Sequence, residues 1–331
     1  VDDLMRRFTY RVIGSVAFGC DVDTLADPAS EFSKRSDDVF EFSLRTVAVF
    51  LMDTVSPKLR SFIGMKFLAK KSETFFLNFV KDTVSYREKN NVVRNDYLQL
   101  LINLRKEDLD NTPSDQSDDI ILDDKVLASN VFIFFLAGYE TTANTIGHIL
   151  LELAINQEVQ ETLRKEVQKT IEDHGKLTYE AVSNLGYLNN VVSETLRIYP
   201  PVVNMTRVCT KAYPIPRSDL TIDEGVMVFM PTYSLHMDPQ YFPEPEKFDP
   251  ERFSEENRHK IKNGTYVPFG DGPRICFGMR FAQLQMKLTV AHLISRFRFS
   301  VSPKMKYPVE FSSMSIFLKA KDGVWLRVEK V

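Results

Sequence analysis

The chain has 331 residues, 44% of them hydrophobic and 26% charged, with a net charge of −3 at pH 7. That is ordinary globular composition, long enough for one large domain or two smaller ones, and the slightly acidic balance gives no footing for nucleic acid as a partner. Three widely separated cysteines, Cys20, Cys209 and Cys276, argue against a disulfide framework and fit a reducing compartment.

Asp2 or Asp3 can cap a first helix whose apolar stripe reads Leu4, Phe8, Val12, Ile13 and Val16. The chain starts at Val1 with that pattern already running, so it is expected to be a piece of a longer protein whose earlier portion carries any membrane anchor. Residues 31–52 form a second helical segment rich in Phe, which Pro57 breaks, and Ser61 to Ala69 is a short apolar stretch flanked by Lys. Ser72 to Lys89 is amphipathic and helical, whereas residues 105–124, with eight Asp and Glu and Pro113, read as a solvated loop.

From Asp123 to Asn156 the chain reads helical without a break, capped by Asp123 or Asp124. Its middle is apolar on nearly every side, which predicts burial through a core. The most apolar run, Val131 to Ala137, has seven residues, against about twenty needed to cross a bilayer. Into this helix is set Ala137-Gly138-Tyr139-Glu140-Thr141-Thr142. A mid-helix Gly costs about 1 kcal/mol relative to Ala, and a core carboxylate needs a partner. Acid and hydroxyl beside a glycine gap suggest room for a small ligand with proton delivery. A small-residue helix crossing with Glu140 salt-bridged fits the same residues.

Val159 to Asp173 is a charged amphipathic helix expected at the surface. Glu194 and Arg197 share a helix face just before the Pro200-Pro201 bend. Short strands follow at Val202–Val208, Leu220–Ile222 and Val226–Phe229, then a Pro-rich irregular stretch from His236 to Pro250. A last helix runs from Met279 to Phe297, and Val309–Phe317 with Val324–Val328 reads as a hairpin around Lys321-Asp-Gly323.

The chain is organised around the loop before that last helix, Phe269-x-x-Gly272-x-Arg274-x-Cys276-x-Gly278. Glycines let backbone approach a flat ligand closely, and a helix N-terminus flanked by Arg274 and Arg280 favours a thiolate. A zinc site needs three or four close Cys/His ligands, which are absent here. A phosphate loop needs a Gly-Lys-Ser/Thr ending, and here Gly272 is followed by Pro273.

This loop resembles the haem-ligand signature of the cytochrome P450 superfamily of haem-thiolate monooxygenases. Three further stretches resemble that family: Ala137 to Thr142; Glu194-x-x-Arg197; and Pro250-Glu251-Arg252-Phe253. The resemblance covers essentially the whole chain and is closest to insect microsomal members that oxidise plant toxins and insecticides. It implies one partial domain over residues 1–331, mainly α with small β-sheets, a long central helix lying over a Cys-loop haem site.

By the same resemblance Cys276 is the axial thiolate to the iron of haem b. Arg274 and Arg207 pair with propionates, Phe269 shields the sulfur, and Gly270, Gly278, Ala137 and Gly138 lie along the cofactor. Glu140 and Thr141 deliver protons, and Glu194, Arg197 and Arg252 form a structural triad beneath the haem. Phe132, Phe135, Val202, Val203 and Met205 face substrate, with Met314 and Phe317 reaching it from the far side. The region around Phe62 and Phe67 either roofs the pocket or is core.

The implied activity inserts one oxygen atom into a lipophilic small molecule, with electrons from NADPH through a reductase and cytochrome b5 as a candidate second donor. The basic residues Arg258, Lys260, Lys262, Arg274, Arg280 and Lys287 are the expected docking face for an acidic flavoprotein. The implied location is the cytoplasmic face of the endoplasmic reticulum membrane; mitochondrial relatives share the motifs. A haem-thiolate isomerase or dehydratase, and a non-catalytic haem-binding protein, are the alternatives. An intact Glu140–Thr141 pair argues against both.

Overall fold

A computed structural model describes residues 1–27, 30–40, 48–49, 52, 63, 66, 68–111, 122–313 and 315–331. Its residues fall into two compact units, 3–143 and 144–331 together with 1–2. The expected mainly helical architecture with small antiparallel sheets is what the chain adopts.

The first unit contains α1 (Asp2–Ile13), α2 (Glu31–Phe40), α3 (Lys70–Asn90), α4 (Tyr97–Asn111) and the first part of α5 (Asp124–Ile155). The buried stripe of α1 is Met5, Thr9, Tyr10 and Ile13, while Leu4 and Val16 are exposed. The expected stripe was therefore offset. Thr9 and Tyr10 can face inward because their hydroxyls are satisfied, by Arg6 O at 2.9 Å and by Asp37 Oδ1 at 2.9 Å. Phe18, Phe32, Phe76 and Phe135 then form a ring cluster with centroids 5.5–5.9 Å apart. Each ring contributes about 2–3 kcal/mol by leaving water.

A π-helical turn, Gly14–Phe18, ends at Gly19 with φ 68°. A Cβ there would meet Arg87 Nη2 at 1.7 Å, so only glycine lets the chain pass over the buried Arg87–Asp96 pair (2.6 Å). The acidic segment expected to be a loop is helical through Asn111, and residues 112–121 lie outside the described set, as do Phe62, Met65, Phe67 and Met314.

Helix α5 matches its expected span. Asp123 Oδ1 accepts the N–H groups of Lys125 and Val126 at 2.9 and 2.8 Å. It is the one helix among the described residues long and apolar enough to cross a bilayer, which corrects the reading based on an unbroken apolar run. Small and polar residues interrupt the run without lowering mean hydropathy far. Ile146, Ile149, Leu150, Leu151 and Leu153 are nonetheless fully buried in protein.

The second unit holds the rest of α5, then α6 (Gln157–His174), α7 (Tyr179–Ser183), α8 (Gly186–Ile198), α9 (Thr232–His236) and α10 (Met279–Ile294). Three two-stranded antiparallel sheets pair β1 (Met205–Val208) with β4 (Met227–Met230), β2 (Tyr213–Pro214) with β3 (Thr221–Ile222), and β5 (Phe297–Val301) with β6 (Leu326–Lys330).

Two expectations are corrected here. Helix α6 is not simply a surface helix, because it buries Gln160 and Arg164. Arg164 donates to Ile294 O and, at 3.1 Å, to Phe297 O, closing the C-terminus of α10, while Gln160 bonds both backbone groups of Phe299. Nor does Val324–Val328 fold back on Val309–Phe317. β6 pairs instead with β5, whose alternating Phe297, Phe299 and Val301 end α10 at Ile294. Among the described residues the 309–317 stretch contributes one bridge, Phe311 to Ala320.

Candidate functional site

In the second unit the Cys276 loop is built by local backbone geometry. Gly270 and Gly272 have φ of 79° and 72°, and Asp271 Oδ1 accepts the Gly272 N–H at 2.7 Å to start a tight turn over Gly272–Arg274. Cys276 N–H then returns to Phe269 O at 2.8 Å, closing the loop. Gly278 is the N-cap of α10, so the sulfur sits two residues before the positive end of that helix dipole. Cys276 is exposed, beside Ile275 at 43% and Phe277 at 85%. A Cβ on Gly270 would lie 3.2 Å from Met205 Sδ, which puts the start of β1 against the loop.

Beneath the loop lies the expected triad. Arg197 and Glu194, both wholly buried, pair through two bonds of 2.7 and 2.8 Å, and Arg252 Nε adds a third at 3.3 Å. Asp249 N–H donates to Glu194 Oε1 at 3.0 Å. Burial pushes the Glu194 carboxyl up, and Arg197, the Asp249 N–H and Arg252 pull it back. Arg197 also donates to His236 O (2.9 Å) and Pro245 O (2.7 Å), and lies over the Phe242 ring.

His236 opens the Pro-rich stretch in the sequence reading but was given no role there. Its Nε2 accepts the Val267 N–H at 2.9 Å and its Nδ1 lies 3.1 Å from Arg197 O. The imidazole thus ties the triad to the segment that opens the Cys276 loop. Accepting at Nε2 assigns the ring proton to Nδ1. Burial lowers its pKa to about 4, so the ring is neutral. Its position before Asp238-Pro239 in the irregular stretch was the only signal.

Val202 and Asn204 are exposed, and Val203, Met205 and Phe317 are half-buried. Arg207 and Arg274 are exposed and form no ion pair among the described residues. Of the basic set, Arg258, Lys260, Lys262, Arg274 and Arg280 are exposed, while Lys287 is half-buried and burial lowers its pKa.

In the first unit, Thr141 Oγ1 donates to Ala137 O at 2.6 Å within α5. Gly138 packs against α1, since a Cβ would meet Ile13 Cδ1 at 2.9 Å. The glycine here allows close helix packing, and the expected ligand gap is corrected on that side. Glu140 is buried with Arg6 Nε 3.5 Å from Oε2. Phe132 is half-buried with its ring 4.9 Å from Phe76. Phe135 has no exposed surface and is enclosed by Tyr10, Phe18, Phe32, Phe76 and Tyr139. The substrate-facing expectation for Phe135 is therefore corrected: it is core.

The donor set of the loop unit fits a thiolate-bound haem: one exposed sulfur at a helix N-terminus, glycines that leave the backbone open, and two exposed guanidiniums. A soft thiolate is a ligand for iron of this kind. The fold and this loop define a haem-thiolate protein. The family profile described as Cytochrome P450 matches residues 1–327, and the chain belongs to the cytochrome P450 family. It is 41% identical over 340 residues to Cytochrome P450 6a2 of Drosophila melanogaster, and 39% identical over 338 residues to Probable cytochrome P450 6a14 of the same organism. Cytochrome P450 9e2 of Blattella germanica is 37% identical over 335 residues. These alignments cover 99–100% of the chain and 63–66% of the three relatives. A haem b with a cysteine thiolate ligand goes with membership of this family.

Proposed function

We propose that this chain belongs to a monooxygenase that inserts one atom of O2 into lipophilic small molecules, with electrons from NADPH through a reductase. The observation that carries this reading is the Cys276 loop, an exposed sulfur held by the Cys276 N–H to Phe269 O bond ahead of α10. Haem, when bound, supplies oxygen activation, with electron push from the thiolate favouring O–O cleavage.

The protein's own residues have these parts. Cys276 would ligate the metal and Phe269 would cover the sulfur, with Gly270 and Gly278 keeping side chains out of the way and Arg274 and Arg207 placed to hold the carboxylates of the group. Ala137 would be the small residue that leaves room beside the bound group, since Gly138 packs against Ile13. Thr141 would hold the proton at Oγ1, and the Glu140 carboxyl group, taking up a proton first, would pass it on to Thr141. Val202, Val203, Met205 and Phe317, and separately Phe132, are the apolar side chains offered to a lipophilic substrate. The exposed cations at 258–262, 274 and 280 take an acidic electron donor, a reductase or cytochrome b5. The resemblance to insect microsomal members supports the endoplasmic reticulum membrane as its location.

The test is spectroscopic first. The protein at its natural length, reduced under carbon monoxide, gives a strongly red-shifted Soret band that vanishes in Cys276→Ser. With NADPH and a reductase, labelled O2 leaves one atom in the product. No such band, with haem retained, removes the oxygenase reading.

A further inference from the structure

We propose that Asn263 is a site of spontaneous deamidation, and that its conversion to a carboxylate weakens uptake of the acidic electron donor. The second half rests on the reading of the exposed cations at 258–262 as part of that donor's docking face. Asn263-Gly264 is the one Asn-Gly pair in the sequence. The two residues are the centre of a tight turn closed by Thr265 N–H to Lys262 O at 3.1 Å, with Gly264 at φ 81°.

Deamidation needs a free main-chain nitrogen, room around it and a side-chain amide able to swing onto it. Among the described residues the Gly264 N–H donates to no acceptor. Nothing lies within 4 Å of where a Cβ on Gly264 would stand, so the approach to its nitrogen is open. Asn263 is exposed, and its amide makes no hydrogen bond among the described residues. Asn257 is the contrast within the same stretch. Its Nδ2 donates to Glu251 O at 2.9 Å and to Ser254 Oγ at 3.2 Å, and the bulky Arg258 follows it.

In the reaction the Gly264 nitrogen gives its proton to solvent and attacks Asn263 Cγ. The N–Cγ bond forms, the Cγ–Nδ2 bond breaks, and the nitrogen leaves as ammonia. Water then opens the cyclic imide at either carbonyl, giving aspartate or its isomer whose main chain runs through Cβ. Water is the co-reactant, and nothing is oxidised or reduced.

The surroundings decide what this alters. Thr265 is buried, Tyr266 OH donates to Ser193 O at 3.0 Å, and the Val267 N–H donates to His236 at 2.9 Å. These bonds anchor the chain just after the turn and separate it from the Cys276 loop. Before the turn, Arg258, Lys260 and Lys262 are exposed and form no ion pair among the described residues. A carboxylate beside Lys262 therefore subtracts from uncompensated positive charge, which a docking partner reads through a salt-dependent field.

The experiment holds the haem-loaded protein at natural length in mildly alkaline buffer and follows conversion by peptide mass spectrometry. The Asn263 peptide gains acid in place of amide, as aspartyl and isoaspartyl forms, faster than the Asn257 peptide, and Asn263→Gln does not convert. Separately, Asn263→Asp binds the reductase about threefold more weakly at low salt, a difference that closes at high salt. Asn263→Gln binds it as wild type does. An Asn263 peptide that converts no faster than the Asn257 peptide overturns the modification. Wild-type affinity in Asn263→Asp, where Lys260→Glu and Lys262→Glu do weaken binding, overturns its effect on docking. If those reversals also leave binding unchanged, the docking reading itself falls and takes that effect with it, while the mass readout still decides the deamidation.

Discussion

Two of the guanidinium–carboxylate clusters in this chain differ in surroundings, and the difference separates a structural bond from an adjustable one. Glu194 and Arg197 are both 0% exposed and joined by two bonds, and the remaining donors of Arg197 go to backbone carbonyls. Arg6 is 29% exposed, divided between two acids, and reaches the buried one at 3.5 Å. A dry pair whose every donor is satisfied has a single arrangement. A shared cation open to water on one side has several, and its hold changes with either neighbour's charge.

Removing one partner from the dry pair is the largest break available. Arg197→Ala leaves the buried Glu194 with only the 3.3 Å contact of Arg252 and the Asp249 N–H, and takes the Arg197 donor from three carbonyls, so stability falls by about 4 kcal/mol. Urea unfolding of Asp37→Asn, a change at a half-exposed pair, moves stability by under about 1 kcal/mol. Similar losses at the two positions would show that burial does not separate the clusters.

The aromatic residues of α5 sharpen the contrast between core and site. Phe135→Ala opens a cavity among five rings and costs about 4 kcal/mol. Phe132, half-buried at the edge of the same cluster, costs less on truncation and instead weakens binding of a lipophilic substrate. Denaturant midpoints and substrate titration of the two variants check this; substrate binding weakened more by Phe135→Ala would return that residue to the site.

These comparisons also mark what the sequence made legible. The α5 span, its Asp123 cap, and the pairing of Glu194, Arg197 and Arg252 followed from periodicity, capping chemistry and resemblance, because each depends on neighbours in sequence or on a whole motif. Arg6 did not. It stands beside Arg7 in the same helix, and only the packing of α1 on α5 decides which guanidinium turns inward. The burial of Arg164, in a helix expected at the surface, was not legible because its acceptors, Ile294 O and Phe297 O, are about 130 residues away. The β5–β6 pairing was lost for the same reason: Val301 opposite Leu326 is a contact that no local turn announces.

The smallest effects concern two buried imidazoles, one bonded and one not. His236 joins Arg197 O to the Val267 N–H, whereas among the described residues neither ring nitrogen of His148, stacked on Tyr199 at 4.3 Å, makes a hydrogen bond of normal geometry. Burial lowers both to about 4 from 6.5. Between those values the unfolded chain binds more protons than the folded one, so stability is full above about pH 6.5 and is lost as pH falls toward about 4. At about pH 5 each ring accounts for a loss of about 2 kcal/mol. His148→Phe keeps the stacked ring and removes the titration, so it leaves Tm near neutrality almost unchanged and flattens the acid decline. His236→Phe flattens the decline too, but lowers Tm at every pH, because it strips the link between the triad and the Cys276 loop. Thermal melts of both variants from pH 7.5 to 4.5 separate the two. An undiminished acid decline in His148→Phe would show that this ring is protonated in the folded protein, and that the aromatic stack tolerates a charge it has no acceptor to offset.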